Sequence, residues 1–153
     1  MTAMTPRRVL ALILRILLGG VWLYAAYAKF RESWLVFAMS IDAYRMLPQW
    51  AVLTLARSLP WIELAIGILL VAGLALRYVA IAGAAILSVF FCVMALAHSQ
   101  GLGIDCGCFG TGDTLSGWTL LRDGTLLAVS IALVYLSWNP SGRTQPPPAE
   151  LAA

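Results

Sequence analysis

Four apolar runs, each long enough to cross a bilayer as a helix, decide what this chain of 153 residues can become. A span needs about 20 residues. The first run covers 9–28 and is broken only by Arg15; the second covers 59–76, with Glu63 its single charge. The third, 79–97, carries none, and the fourth, 118–138, carries Arg122 and Asp123 near its start. A soluble protein of this size has no core in which to hide four such helices. Composition agrees: 61% of residues are hydrophobic and 11% charged, against about 45–50% and about 25% in soluble domains. An ordinary soluble enzyme and a disordered chain are excluded. A net charge of +3 does not mark a polyanion partner, so no nucleic acid is expected. The expectation is an all-α integral membrane four-helix bundle, with the lipid bilayer as its first partner.

The flanks suggest where the helices begin and end. Ser58 and Pro60 predict the start of the second helix, because proline lacks the N–H that a first turn leaves unpaired. Glu63 would then sit at the positive end of the helix dipole. Arg77 and Tyr78 would close that helix and leave almost no loop before the third. Trp22, Tyr24, Tyr27, Trp61, Trp118, Tyr135 and Trp138 fall near span ends, where amphipathic rings favour the interface. Between the first two spans, Trp34, Phe37, Ile41 and Tyr44 recur at helical spacing, which predicts a short interfacial helix ended by Leu47-Pro48. The membrane domain thus occupies 1–138. Residues 139–153 hold four of the seven prolines and predict a disordered tail.

Four spans place both termini on one side. Lys and Arg tie at five on each side, and Arg7-Arg8 before the first span tips the orientation to N-in, C-in. The loop 98–117 then lies outside the cytoplasm. A cleaved signal would also begin with basic residues and an apolar run, but Arg15 interrupts this one.

That loop departs from the lipid-facing monotony. It contains six glycines between 101 and 117 and the sequence Asp105-Cys106-Gly107-Cys108-Phe109-Gly110. Cysteines on alternate residues can approach disulfide distance, in a small and strained ring. Strained disulfides are the oxidising, labile kind, so the pair suits electron exchange with another protein's thiols. A static disulfide or two inert thiols is the competing reading. Asp105 would disfavour the Cys106 thiolate, which points to Cys108 as the better nucleophile. His98 could offset this by folding back. Soft thiolates also attract Cu(I) or Zn(II), but two cysteines with His98 form only a partial ligand set, so no metal is assigned. Cys92, inside the third span, reads as packing or as a third thiol relaying electrons inward. Lys29 ends the first span and Glu63 opens the second on the same side. A charge at that depth demands a partner, so the two are expected to pair, either as a structural lock or as a proton or quinone-headgroup site.

With Tyr24–Phe30, Leu59–Leu64, Gly67, Gly73 and Asp105–Gly110 in place, the chain resembles, over roughly 8–138, the MauE family of methylamine-utilisation membrane proteins within the DoxX-like group. The resemblance implies a multi-pass protein of the bacterial inner membrane. It also implies work beside a thioredoxin-like extracytoplasmic partner in maturing a disulfide-containing periplasmic enzyme, in the namesake pathway the methylamine dehydrogenase small subunit. Cys106 and Cys108 would then make the chain a thiol–disulfide oxidoreductase, with Lys29, Glu63, His98 and Cys92 in support and a quinone as the candidate cofactor. The alternative is a non-catalytic membrane subunit or assembly factor with a structural Cys-Gly-Cys loop. The orientation is testable: in intact cells a membrane-impermeant maleimide should label reduced Cys106 and Cys108 but not Cys92. Labelling that appears only after the membrane is broken reverses the topology.

Overall fold

The computed structural model describes residues 6–109 and 114–138. Over these the chain forms five helices: α1 (Pro6–Arg31), α2 (Trp34–Asp42), α3 (Gln49–Ala72), α4 (Leu76–Ser99) and α5 (Gly117–Trp138). All but α2 are long and apolar enough to cross a membrane. Their inner faces meet in a core of Leu18, Trp22, Ile66, Leu70, Val79, Ala80 and Leu133. Their outer faces remain apolar, with Ile13, Leu17, Val89 and Ile131 exposed, as a lipid-facing surface requires. Trp22 belongs to that core rather than to an interfacial belt, whereas Tyr24, Tyr27, Trp61, Trp118, Tyr135 and Trp138 point outwards.

α1 and α3 run antiparallel, and glycine sets their spacing. Leu23 lies against Gly67, Val71 against Gly19 and Arg15 against Gly73. A Cβ on Gly67 would come within 2.8 Å of the Leu23 side chain, and one on Gly19 within 2.6 Å of Val71. Small residues at such crossings let backbones approach in lipid, where no hydrophobic drive brings helices together. At the far end of the bundle the Arg77 guanidinium lies 4.6 Å over the Trp138 ring, which sets the start of α4 beside the end of α5.

The second span begins earlier than its apolar run. α3 starts at Gln49 after Pro48, and Pro60 is inside it. Pro60 forfeits one backbone bond, but the turns before it are held by packing. Phe37 and Ala38 of α2 bury Val52, Ala56 and Leu59 of α3, and Ser58 Oγ donates to the Thr54 carbonyl at 2.8 Å instead of capping a helix. Glu63 is therefore mid-helix, away from any helix terminus. α2 also ends at Asp42, short of Leu47-Pro48, with Ser33 Oγ accepting from Leu35 N–H at its start. α3 ends at Gly73, whose φ of 74° is the left-handed value that glycine adopts freely. Arg77 and Tyr78 consequently lie in the first turn of α4. The proline-rich tail lies outside the described residues.

The glycine contact is testable by a matched pair. Gly67→Leu should lower the melting temperature in detergent, because overpacking a tight crossing costs about 1–3 kcal/mol. Gly20→Leu, where a Cβ meets nothing within 4 Å, should leave it unchanged. Equal shifts in both variants would show that the crossing is not tight.

Candidate functional site

One ammonium gathers the site. Lys29, near the end of α1, is 5% exposed, and a charge so buried must be fully partnered. Its Nζ donates to Glu63 Oε1 at 3.0 Å and to the Cys108 carbonyl at 2.7 Å, and it lies 5.3 Å from the centre of the Phe37 ring. α1, α2, α3 and the loop before α5 thus meet at one atom. Lys29 and Glu63 do come together, and the cysteine loop is tied to them.

The loop turns at Gly107, whose φ is +68°. A Cβ there would be strained by the backbone and would meet Ser40 at 3.3 Å and Phe37 at 3.4 Å. Glycine therefore serves both the turn and the close approach of α2. An isolated antiparallel bridge between Asp105 and Thr114 closes the loop's base, with Leu115 N–H donating to the Ile104 carbonyl at 2.8 Å. Tyr44 Oη donates to the Cys106 carbonyl at 3.3 Å. Burial, then negative charge at Cys108, Cys106 and Asp123, pushes the Tyr44 phenol up, so it remains a donor at neutral pH.

Cys106 and Cys108 are free thiols in unequal surroundings. Cys106 Sγ faces donors: Arg122 Nη2 at 3.9 Å and the Cys108 N–H at 3.5 Å. These favour its thiolate. Cys108 Sγ faces acceptors, the Met94 thioether at 3.8 Å and the Cys106 carbonyl at 3.8 Å. Its hydrogen bond with the Cys106 thiol, then burial, then the negative charge of Cys106 and Asp123 raise the Cys108 thiol well above the ordinary range, and Lys29 only partly offsets them. The expected effect of Asp105 on Cys106 is opposed by a cation, because Arg122 reaches Cys106 from α5. Cys106 is buried, while Cys108 retains some exposure.

Arg122 is held in place from two further sides. Its guanidinium stacks 4.5 Å from the centre of the Phe109 ring, and its Nε donates to Asp123 Oδ1 at 3.1 Å. Asp123 is buried. Neither residue stood out as part of the site in the sequence, although charges inside an apolar run are the signal that marks function in membrane helices. Tyr44 and Met94 carried no such signal. Two expected members stand apart. His98 is exposed at the end of α4, and the cations beside the cysteine pair are Arg122 and Lys29. Cys92 is exposed on the outer face of α4, not packed in the core.

Comparison with known proteins covers the same region. The profile of a family described as "Methylamine utilisation protein MauE" matches residues 7–136. A methylamine utilization protein MauE of Paracoccus denitrificans is 33% identical over 123 residues. That match spans 78% of this chain and 66% of the relative's length. No solved structure matches the chain.

The inequality of the thiols is measurable. In a Cys92→Ala background, iodoacetamide should modify Cys108 only as pH rises above the range of an ordinary thiol, because a raised thiol holds its proton longer. Cys106→Ser removes the largest cause of that shift, so the Cys108 profile should move back towards lower pH. An unchanged profile in Cys106→Ser would refute the coupling.

Proposed function

The chain belongs to the MauE family of methylamine-utilisation membrane proteins, and from that premise we propose that it is a membrane thiol–disulfide oxidoreductase. The observation that carries this reading is the asymmetry of Cys106 and Cys108: a sulfur that faces N–H donors beside one that faces acceptors, on one Cys-Gly-Cys turn. A disulfide exchanger needs one sulfur that leaves easily and one that is attacked. The oxidised pair accepts electrons from a reduced thioredoxin-like partner. The partner's thiolate attacks Cys108, the more exposed residue of the pair, and forms a mixed disulfide. Cys106 leaves as a thiolate beside Arg122. The partner's second thiolate then attacks its own sulfur of the mixed disulfide, which closes the partner's disulfide and releases Cys108. Two electrons have passed from the partner to the membrane protein, and its two sulfurs take up two protons from water to end as thiols. With the loop outside the cytoplasm, as Arg7 and Arg8 before the first span favour, this exchange takes place in the periplasm of a bacterium. By family kinship its beneficiary is a disulfide-containing periplasmic enzyme such as the methylamine dehydrogenase small subunit.

Serine substitutions test the assignment. Cys106→Ser and Cys108→Ser should each abolish oxidation of the reduced partner while membrane accumulation stays near normal. A partner that lacks its second thiol should instead stall as a mixed disulfide on Cys108 of the oxidised wild-type pair, because the thiolate that releases it is gone. Cys108→Ser should trap little, since Cys106 is buried. Cys92→Ala should be silent. Full activity in the Cys106→Ser/Cys108→Ser double variant would overturn the redox reading in favour of an assembly factor.

A further inference from the structure

The bundle is built as two helix pairs that do not close completely on each other. α1 packs along α3 and α4 along α5, whereas α3 and α4 touch little. Lined by all four spans and α2 is a cavity of about 570 Å³, within the roughly 300–1,000 Å³ of small-molecule sites. Its walls are almost wholly apolar side chains such as Trp22, Ala25 and Phe90. Apart from Ser40, the polar exceptions are Cys106, Cys108, Lys29, Glu63, Tyr44 and Asp123. Five other lining residues, Met46, Leu47, Leu55, Ile62 and Val89, are 38–64% exposed. They mark a lateral mouth on the outer face of the bundle, where an apolar ligand can enter from the bilayer.

Glu63 supplies a second, independent observation. Its side chain is 5% exposed. Oε1 is held by Lys29, but Oε2 is buried with no hydrogen-bond partner. A buried acceptor left without a donor is costly, and this one belongs to a residue lining the cavity beside two thiols. The ligand that fits has a neutral hydrogen-bond donor on an apolar body, can reside in lipid and can take an electron pair. We infer that the cavity is the binding site of a lipid-soluble quinone, and that the Cys106–Cys108 pair is reoxidised there. This rests on the thiol–disulfide reading above. The step balances without a further reactant. The two thiols lose two electrons and two protons as the S–S bond forms, and the two quinone oxygens gain them and become hydroxyls. One of these donates to Glu63 Oε2, and the quinol leaves through the lateral mouth. A phospholipid acyl chain offers no donor for Glu63, and a phosphate headgroup would bring negative charge to a carboxylate.

The test uses the full chain in phosphatidylcholine nanodiscs with a ubiquinone carrying one prenyl unit. Reduced protein should form one quinol for each disulfide gained. The Cys106→Ser/Cys108→Ser variant should bind the quinone by thermal shift yet reduce none. Val89→Trp narrows the mouth at an exposed position and should weaken quinone binding by about tenfold, while exchange with the reduced partner persists. Glu63→Gln replaces the acceptor with a donor and should weaken quinol by about tenfold relative to quinone. If Glu63→Gln does not accumulate, Val89→Trp decides the matter. Absent saturable quinone binding, or phospholipid held in the cavity and not displaced by quinone, overturns the inference even if partner exchange proceeds. Quinone binding without any partner exchange keeps this site and removes the thiol reading instead.

Discussion

A single buried ammonium fixes the geometry on which the rest of this protein depends. Lys29 Nζ bridges the Glu63 carboxylate of α3 and the backbone carbonyl of Cys108. Removing one partner of a buried pair typically costs about 3–5 kcal/mol, because the other charge is left uncompensated. Here the loss would extend further. Without the lysine donor, the cysteine loop loses its direct tie to α1, and Glu63 loses the cation that balances it among apolar walls. The pair is thus structural and, through Cys108, part of the site.

A second charged group works from the opposite side. Arg122 and Asp123 sit on α5, and Arg122 reaches over Phe109 to the Cys106 sulfur. The loop is therefore clamped between the α1/α3 pair, through Lys29, and the α4/α5 pair, through Arg122 and Met94. This arrangement makes two adjacent thiols chemically different. One faces N–H donors and the other faces acceptors. Sequence proximity alone could not produce the difference, since Asp105 is adjacent to Cys106 and argues for the opposite order. At the other end of the bundle, Arg15 Nη2 donates to the Val71 carbonyl at 3.4 Å, so a charge inside the first span meets the end of α3.

The gap between the helix pairs follows from the same packing. Glycine draws α1 against α3, as at Gly19 and Gly67, and α2 fills the space beside the first turns of α3. Larger side chains face the remaining space without meeting across it. An apolar enclosure beside charged groups and two thiols is the result, and in a bilayer its mouth faces a solvent in which apolar molecules are already dissolved.

The spans, the short helix between the first two and the Lys29–Glu63 pair were legible in the sequence because each rests on a local property. Twenty apolar residues demand a helix in lipid, a buried lysine and glutamate demand partners, and Cys-Gly-Cys has few uses at a membrane surface. The start of α3 was not legible, because Gln49–Arg57 is held helical by α2 rather than by its own composition, and Pro60 pointed elsewhere. Trp22 read as an interface anchor and is core, since which face of a helix turns inward is set by its neighbours. His98 was the nearest basic residue in sequence, yet Arg122 reaches Cys106 from another helix. The sequence by itself determined the class of fold, the loop that bears the thiols and the ion pair. Only the tertiary structure decided which sulfur faces donors and which faces acceptors, which side chains surround them and that a cavity lies alongside. Those depend on distances between helices far apart in the chain, and no local pattern encodes such distances.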